Sequence, residues 1–220
     1  MLVLERVAPA SELVSQLPEL DERAAVFCRP TDSAVVLGST QPESDLDPLA
    51  LERAGLSLTR RRSGGGAVLV GPGRQLWLDV YLPLHDARFE RDVTRAPEVI
   101  GEAWREALIA SGLGGEELSL HRGGLVESAF SRQFCFLGLG PGEVCWSGQK
   151  VLGLSQRRDR RGAWFFTMAL FDLAPEAEAA LFADQAGRGG QLAAAIRGGV
   201  RTLPRVEDLE THLVEALERQ

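Results

Sequence analysis

The residue with the sharpest chemical implication is Lys150, because it is the single lysine among the 24 lysines and arginines of the chain. A lysine ammonium is a compact, mobile charge with three donors and a tunable pKa, whereas the guanidinium of arginine is a planar, rigid fork. A chain that uses arginine at every other basic position indicates a task at Lys150 that arginine cannot perform. The alternative is chance retention of a lysine at the surface.

A second candidate is the segment Arg60–Gly66, RRRSGGG, which leads into an apolar strand. Three consecutive glycines carry no Cβ, so a ligand can lie directly against the backbone and its N–H groups. The basic residues before them suit a phosphate or a carboxylate. The loop has neither the spacing of a P-loop nor that of a dinucleotide-binding motif, and by itself a triple glycine is also typical of a flexible turn.

The third segment, Gly148–Arg158, reads GQKVLGLSQRR and places Lys150 at the start of an apolar strand. Gly153 in that strand permits a close approach from a facing part of the chain. Cys135, followed by Phe136, precedes the lysine by fifteen residues. As a free thiol, Cys135 is either a nucleophile or a small buried hydrophobic residue, which is the usual role of an unpaired cysteine.

Together these segments resemble the lipoate-protein ligase and octanoyltransferase superfamily. Its RR-x-SGGGAV loop is matched by Arg60, Arg61, Ser63, Gly64, Gly65, Gly66, Ala67 and Val68. Its G-[RK]-K-[IV]-x-G-[ST]-[AS]-Q-R run is matched by Gly148, Lys150, Val151, Gly153, Ser155, Gln156 and Arg157. The order and separation of the two motifs fit as well, and the resemblance extends from about Ala24 to Leu173.

The resemblance implies an α+β fold in which helices flank a mixed β-sheet, as in biotin- and lipoate-protein ligases. It implies that Lys150 stabilises negative charge that develops on an acyl or phosphate oxygen, a role in which a fixed cation is effective. The substrate-binding residues that it implies are Arg61, Ser63, Gly64, Gly65, Gly66, Gly153 and Ser155. Lipoate or octanoate is then attached to a lysine of a lipoyl carrier domain, or of a glycine-cleavage H-type protein, through an acyl-adenylate.

Three polar features of the ligases are missing from this chain. The ligases have a turn that carries a histidine and an Asp or Asn, whereas this chain has Val70, Gly71 and Pro72 at that place. They also often have a histidine pair where this chain has Phe165 and Phe166. Gly142 and Glu143 stand where the ligases carry an Asn-Asp pair whose acid helps with the metal. For an ATP-dependent ligase, Glu143 is therefore the predicted Mg²⁺ ligand.

The Cys135-Phe136 pair resembles instead the cysteine-dependent octanoyltransferases, which need no ATP and no other cofactor. In them the thiolate takes octanoate from acyl carrier protein as a thioester, and a neighbouring lysine favours that thiolate. The RR-x-SGGG loop makes the acyl-adenylate route the leading hypothesis, with the Cys135 thioester as its alternative. The third hypothesis is a degenerate protein that binds an acyl group or a partner without catalysis.

Composition and charge exclude several other classes of function. A formal charge of −7 argues against nucleic-acid binding. The chain has no apolar run long enough for a membrane span and no basic leader, which predicts a cytoplasmic protein. Three cysteines without CxxC spacing and three scattered histidines predict neither disulfides nor a zinc site.

The pattern of apolar residues predicts one α+β domain over residues 1–220, with a helical part over 176–220. Predicted helices begin after Ser11, at Asp47 and near Thr94. The helix from Asp47 stops at Gly55, and the helix from Thr94 ends at Gly112. A last helix covers Val206–Arg219. The predicted strands cover Ala24–Arg29, Ala34–Gly38, Leu56–Arg61, Ala67–Val70, Gln75–Leu82, Phe134–Leu139, Glu143–Trp146, Val151–Gln156 and Trp164–Phe171.

Overall fold

The structure, a computed structural model, describes residues 1–183 and 187–220. Its strands are β1 (Leu2–Ala8), β2 (Ala24–Pro30), β3 (Ala34–Leu37), β4 (Ser57–Arg60), β5 (Val68–Val70), β6 (Gln75–Pro83), β7 (Leu118–Leu120), β8 (Val144–Trp146), β9 (Gln149–Arg158) and β10 (Gly162–Leu170). Its helices are α1 (Ala10–Ser15), α2 (Pro48–Arg53), α3 (Ala96–Ala110), α4 (Pro175–Ala179), α5 (Gly189–Gly199) and α6 (Leu209–Arg219).

Seven strands form one sheet in the order β1-β2-β6-β10-β9-β8-β7. β1 and β2 are parallel and the other pairs are antiparallel, so the sheet is mixed. A second sheet has the order β4-β3-β5. The predicted α+β class, with a mixed sheet between helices, is confirmed.

Each face of the large sheet is covered by its own hydrophobic core. One core joins the sheet to α3 and α6 and contains the fully buried Trp104. The other joins it to α1, α5 and the small sheet. β6 lies in the middle and is buried along its whole length, whereas its alternating pattern predicted a strand buried on one side only. The difference arises because both faces of this central strand are covered.

Local signals for the helices agree with the structure at several ends. Asp47 accepts hydrogen bonds from the backbone N–H groups of Leu49 and Ala50, and Pro48 occupies the first turn of α2. Gly55 and Gly112 have φ values of 63° and 73° directly after α2 and α3. Glycine adopts this left-handed conformation without strain, which explains both predicted stops.

The predicted strand Phe134–Leu139 is wrong. The segment forms a short 3-10 helix over Cys135–Leu137, and β7 (Leu118–Leu120), which was not predicted, occupies the edge of the sheet. In the C-terminal part, the sequence predicts a glycine-rich break between helices at Gly187–Gly190, and α5 begins within that segment, at Gly189. The assignment of residues 1–220 to one domain stays a prediction.

Candidate active site

Lys150 lies on β9 and is 4% exposed. Its ammonium is 2.7 Å from Oε2 of Glu143. It also donates hydrogen bonds to the backbone carbonyls of Cys135, at 3.2 Å, and Gly138, at 2.8 Å. The Phe136 ring lies 5.3 Å from the ammonium nitrogen, a distance that permits a cation–π contact. The only lysine of the chain is therefore a buried cation in a built polar site.

The partners of Lys150 account for all three N–H groups of its ammonium. A substrate oxygen can take one of these hydrogen bonds only if one protein partner gives it up. In the arrangement observed here, Lys150 holds the 3-10 helix of Cys135 and the loop before β8 together. Stabilisation of a substrate oxygen by Lys150 stays a prediction, and it requires this exchange of partners.

Glu143 is fixed by the backbone as well as by Lys150. Its Oε2 accepts from the N–H of Gly140 at 2.7 Å, and its Oε1 accepts from the N–H of Leu154 at 2.9 Å. A buried carboxylate that accepts two backbone N–H groups and faces an ammonium has its charge compensated from three sides. The loop before Glu143 packs directly against α3. A Cβ added to Gly101 of this helix would lie 2.0 Å from a backbone oxygen of the loop, so the close contact requires glycine there.

These contacts bear on the predicted metal role of Glu143. Both oxygens of Glu143 already accept hydrogen bonds within the protein, so a Mg²⁺ ion would compete with these partners for the carboxylate. Within residues 1–183 and 187–220, no group of three or more His, Cys, Asp and Glu side chains could hold a metal ion. In this structure Glu143 is the counter-ion of Lys150, and its role as a Mg²⁺ ligand stays a prediction.

Cys135 is partly exposed at the start of its 3-10 helix. Its backbone N–H donates to the carbonyl oxygen of Ala67 at 2.9 Å, which ties it to the strand that follows the glycine loop. The sequence led us to expect Lys150 beside the thiol. The structure shows the ammonium on the Cys135 carbonyl and places Nη2 of Arg61 at 3.6 Å from the sulfur.

Arg61 also folds the glycine loop. Its Nη2 donates to the carbonyls of Gly64, at 2.7 Å, and Gly66, at 2.8 Å. A Cβ added to Gly65, whose φ is 99°, would lie 2.9 Å from that nitrogen and 3.6 Å from the Cys135 sulfur. The loop is thus wrapped around a guanidinium that points at the thiol.

The three glycines of this loop differ in what a side chain would meet. A Cβ on Gly64 would have open space, so only this glycine leaves a free surface on the loop. One on Gly66 would approach the backbone of Gln133 and Phe134 at 2.7 Å. Gly66 is therefore needed for close contact between two parts of the chain, and substrate binding by the three glycines stays a prediction.

The motif residues of β9 meet the glycine loop and the Cys135 segment. Ser155 Oγ donates to Ser63 Oγ at 3.0 Å. A Cβ on Gly153 would lie 3.3 Å from the Phe136 ring, so the absence of a side chain there lets this ring lie against the strand. The structure thereby brings Lys150, Cys135, Glu143 and the predicted substrate-binding residues into one region.

Two cavities meet in this region. The larger has a volume of about 960 Å³ and is lined by both apolar and polar residues; we name it the polar compartment because the charged side chains Lys150, Glu143, Arg132 and Arg188 are among them. The smaller, of about 80 Å³, lies over β9, β10 and β6, and we name it the apolar compartment. Its lining is mainly apolar side chains, from Leu13, Val14, Leu17, Val36, Val68, Val70, Trp77, Phe136, Leu154, Phe166 and Met168.

Four residues line both compartments, namely Ser63, Cys135, Leu154 and Ser155. The Cys135 thiol therefore lies where an apolar cavity meets a polar one. An amphipathic molecule with its chain in the apolar compartment has its head group beside this thiol. Such a division into an apolar body with a few convergent polar groups is typical of small-molecule sites.

Sequence analysis did not single out the group of Trp77, Asp79 and Cys28 beneath the apolar compartment. Nε1 of Trp77 donates to Oδ1 of Asp79 at 2.8 Å, and the Cys28 thiol lies 3.6 Å from Oδ2. Burial raises the pKa of Asp79 to about 7, although both hydrogen bonds lower it. A signal was present, because Asp79 is the only charged residue within the apolar run of β6.

The sequence leaves two interpretations of the arginine-rich segments 60–62 and 157–161 open, namely solvated strand edges or an anion-binding or docking patch. Arg60 donates to the carbonyls of Gly38 and Gln41, and Arg158 donates to those of Glu90 and Arg91. Arg157, by contrast, lines the apolar compartment. Arg60, Arg61 and Arg158 therefore organise loops around the site.

Comparison with known proteins finds one matching family model and several solved structures of similar fold. The model of the lipoyl protein ligase A/B catalytic domain matches residues 4–215, whereas no curated protein matches the sequence. A bipartite lipoate protein ligase from Thermoplasma acidophilum, solved in a study of that ligase and its E2 lipoyl domain, is 17% identical with a TM-score of 0.74, over 99% of this chain and 82% of that one.

Two further solved structures have the same fold. A lipoate-protein ligase A bound with ATP is 16% identical with a TM-score of 0.62, over 100% of this chain and 94% of that one. A putative lipoate protein ligase from T. acidophilum with bound lipoic acid is 16% identical with a TM-score of 0.61, over 99% and 95%. With the match of the family model over nearly its whole length, the chain belongs to the lipoyl protein ligase A/B catalytic-domain family.

Proposed function

We propose that this protein transfers a medium-chain acyl group, octanoyl or lipoyl, to a lysine of a lipoyl carrier domain or of an H-type carrier protein. Membership of the family and the two joined compartments support this proposal. Relatives of the same fold, solved with lipoic acid or studied with an E2 lipoyl domain, support the choice of acyl group and acceptor.

The position of the acyl group follows from the lining of the two compartments. The hydrocarbon chain lies in the apolar compartment, where burial of each methylene contributes about 0.8 kcal/mol. Its carbonyl carbon lies at the junction, beside Cys135, Ser63 and Ser155. The donor and then the carrier lysine approach through the polar compartment, which is wide enough for either.

A thioester route uses the residues in the positions where they lie. The Cys135 thiolate attacks the carbonyl carbon of an acyl thioester, such as that of acyl carrier protein, the bond from this carbon to the donor sulfur breaks, and the donor leaves as a thiolate that takes up the proton lost by Cys135. The carrier lysine, as a free amine, then attacks the Cys135 thioester and forms an amide, and Cys135 leaves as a thiol. The negative charge on the carbonyl oxygen in both steps is stabilised by Arg61 Nη2 at the sulfur and by Lys150 after exchange of a partner.

The single observation that carries the thioester route is the position of the Cys135 sulfur at the junction, in contact with a cation. The RR-x-SGGG loop made the acyl-adenylate route the leading hypothesis from sequence. In the structure, Arg61 of that loop contacts the thiol, and Glu143 is held by Lys150 and two backbone N–H groups. These contacts move our preference to the thiol.

The ATP-dependent route remains a second candidate because of one feature, the size of the polar compartment. A volume of about 960 Å³ that includes Arg132 and Arg188 suits a nucleotide, and a relative of the same fold is bound with ATP. With Glu143 engaged, we assign no residue of this chain to Mg²⁺ and derive no step through the metal.

An assay with two acyl donors separates these functions. Purified protein is given a lipoyl domain and either octanoyl-acyl carrier protein without ATP, or octanoate with ATP and Mg²⁺. We expect transfer from the thioester alone, and its loss in Cys135→Ser, whereas Cys145→Ser, which alters a buried thiol, retains it. Transfer that needs ATP and survives Cys135→Ser supports the ligase instead, and no transfer from either donor supports a protein that only binds.

A further inference from the structure

The apolar compartment ends on the large sheet at a defined side chain. Residues of β9, β10 and β6 line it, among them Gly153, Met168 and Trp77, which are aligned in one row of the sheet. The next residue of this row is Cys28 on β2. In the described part of the chain, the lining includes no residue of β2, so Trp77 is the lining residue of this row that lies farthest from β9.

The junction with the polar compartment lies at the opposite end of this row of strands. Leu154 and Ser155, which line both compartments, belong to β9. β6 is two strands away, with β10 between them. At the usual spacing between strands, the distance from β9 to β6 is about 10 Å. A chain that starts at Cys135 therefore crosses β10 and meets Trp77.

The indole of Trp77 is fixed rather than free to move aside. The ring is 5% exposed, and its Nε1 donates to Oδ1 of Asp79, a residue that is 1% exposed. The second oxygen of that carboxyl accepts from the Cys28 thiol. Burial of a carboxyl group without hydrogen bonds costs free energy. Rotation of the indole would remove the main hydrogen-bond donor of Asp79, so this carboxyl holds the ring in its orientation.

We propose that Trp77, held in place by Asp79, is the end wall of the acyl pocket and sets the longest acyl chain that the protein accepts. This inference rests on the proposed function and adds to it a residue that determines substrate length. The effect is steric. Beyond the indole lie Cys28 and Val26 of β2, apolar groups over which a longer chain can extend once the ring is removed.

Binding of straight-chain carboxylates tests the proposal without any need for turnover. Hexanoate, octanoate, decanoate and dodecanoate are titrated into the intact protein by calorimetry. The wild type is expected to bind octanoate more tightly than dodecanoate. Trp77→Leu is combined with Asp79→Asn, so that no buried carboxylate loses its donor. Each further methylene that the double variant buries is expected to raise affinity roughly fourfold, so its preference shifts by at least about tenfold toward dodecanoate.

Two control variants separate the length of the pocket from general loss of packing. Asp79→Asn alone keeps the indole and should keep the wild-type preference. Trp104→Leu removes another buried indole, whose Nε1 donates to Thr167 Oγ1 at 3.0 Å on the opposite face of the sheet. In the described structure Trp104 lines neither compartment, so this variant should lower the melting temperature and leave the preference unchanged.

The outcomes are distinct. If the Trp77→Leu double variant does not fold, Trp77→Phe with Asp79→Asn is expected to show a smaller shift, toward decanoate. A wild-type preference for octanoate that neither Trp77 variant changes overturns the proposal, as does an equal shift in Trp104→Leu. A wild type that binds none of the four acids contradicts the proposed function itself, and the assignment of Trp77 with it.

Discussion

Two buried carboxyl groups lie on opposite sides of the acyl pocket, and their surroundings are different. Glu143 faces the ammonium of Lys150 at 2.7 Å and accepts from two backbone N–H groups. Asp79 has an indole N–H and a thiol as its hydrogen-bonding partners. Glu143 is 4% exposed and Asp79 is 1% exposed. The two carboxyl groups are therefore equally buried, and they differ in their hydrogen-bonding partners.

The difference shows what each side of the pocket is built for. On the Glu143 side, an ion pair arranges backbone carbonyls and the Cys135 segment around a point where charge changes during acyl transfer. On the Asp79 side, burial raises the pKa of the carboxyl to about 7, and the group holds a ring in place. We propose that the first arrangement serves catalysis and that the second fixes the shape of the pocket.

The largest expected effect is on the Glu143 side. Lys150→Met leaves a buried carboxylate without its cation and should lower the free energy of unfolding by about 3–5 kcal/mol, measured in urea. Lys150→Met with Glu143→Gln should recover most of that loss but no transfer activity. Arg122→Met, which removes an exposed ion pair, serves as the control and should cost less than about 1 kcal/mol. Equal losses for the single and double variants would show that the pair is not coupled.

Lys150→Arg tests the geometry of the same site at constant charge. A guanidinium cannot reach Cys135 O, Gly138 O and Glu143 Oε2 with the compact arrangement of an ammonium. We expect acyl transfer to fall about a hundred- to thousandfold while circular dichroism stays that of the folded protein. Activity near that of the wild type would contradict a specific role for the lysine.

On the Asp79 side we expect a change in the pH dependence of stability. The pKa of Asp79 is raised in the folded protein, so its neutral form favours folding. The contribution of Asp79 to stability is then fully present below the pKa of the unfolded chain, about 4, and is lost as the pH rises through about 7, by up to about 4 kcal/mol. Asp79→Asn should remove this loss, as measured by urea unfolding at about pH 5 and about pH 8. A variant as pH-dependent as the wild type over this interval would refute the buried neutral carboxyl.

The sequence predicts the Glu143 side of the pocket better than the Asp79 side. The motifs around Lys150 identified the polar side, because lysine, glycines and cysteine at these spacings carry a chemical signal. They did not identify the partners of the lysine. Two of the three partners are the backbone carbonyls of Cys135 and Gly138, which no side-chain motif identifies, and the third is Glu143, which the sequence predicted as a metal ligand.

The 3-10 helix Cys135–Leu137 lies where the apolar run FCFLG predicted a strand. A short apolar run does not distinguish a strand from another buried segment by its periodicity. On the apolar side, Trp77 and Asp79 were interpreted only as part of a strand, since their contact depends on the alternation of side chains within β6. Their role follows from where the cavity stops, and a cavity depends on packing between β6, α1 and the small sheet.

The smallest expected effect lies at the junction of the two compartments. Ser155→Ala removes the hydrogen bond to Ser63 Oγ, at 3.0 Å, that joins β9 to the glycine loop. It should cost about 1 kcal/mol in the free energy of unfolding. Ser119→Ala, at an exposed position of β7, is the matched control and should be close to neutral. A loss as large as that of Lys150→Met would mean that the two compartments depend on this bond.

The most direct test of the account is to trap the acyl group on the chain. The protein is incubated with octanoyl-acyl carrier protein, without ATP and without a carrier lysine, and its intact mass and peptides are measured. The account predicts one octanoyl group on Cys135, released by hydroxylamine, and none on Cys28 or Cys145, whose pKa values burial raises. An unmodified Cys135 in a protein that still transfers octanoate to a lipoyl domain would contradict it.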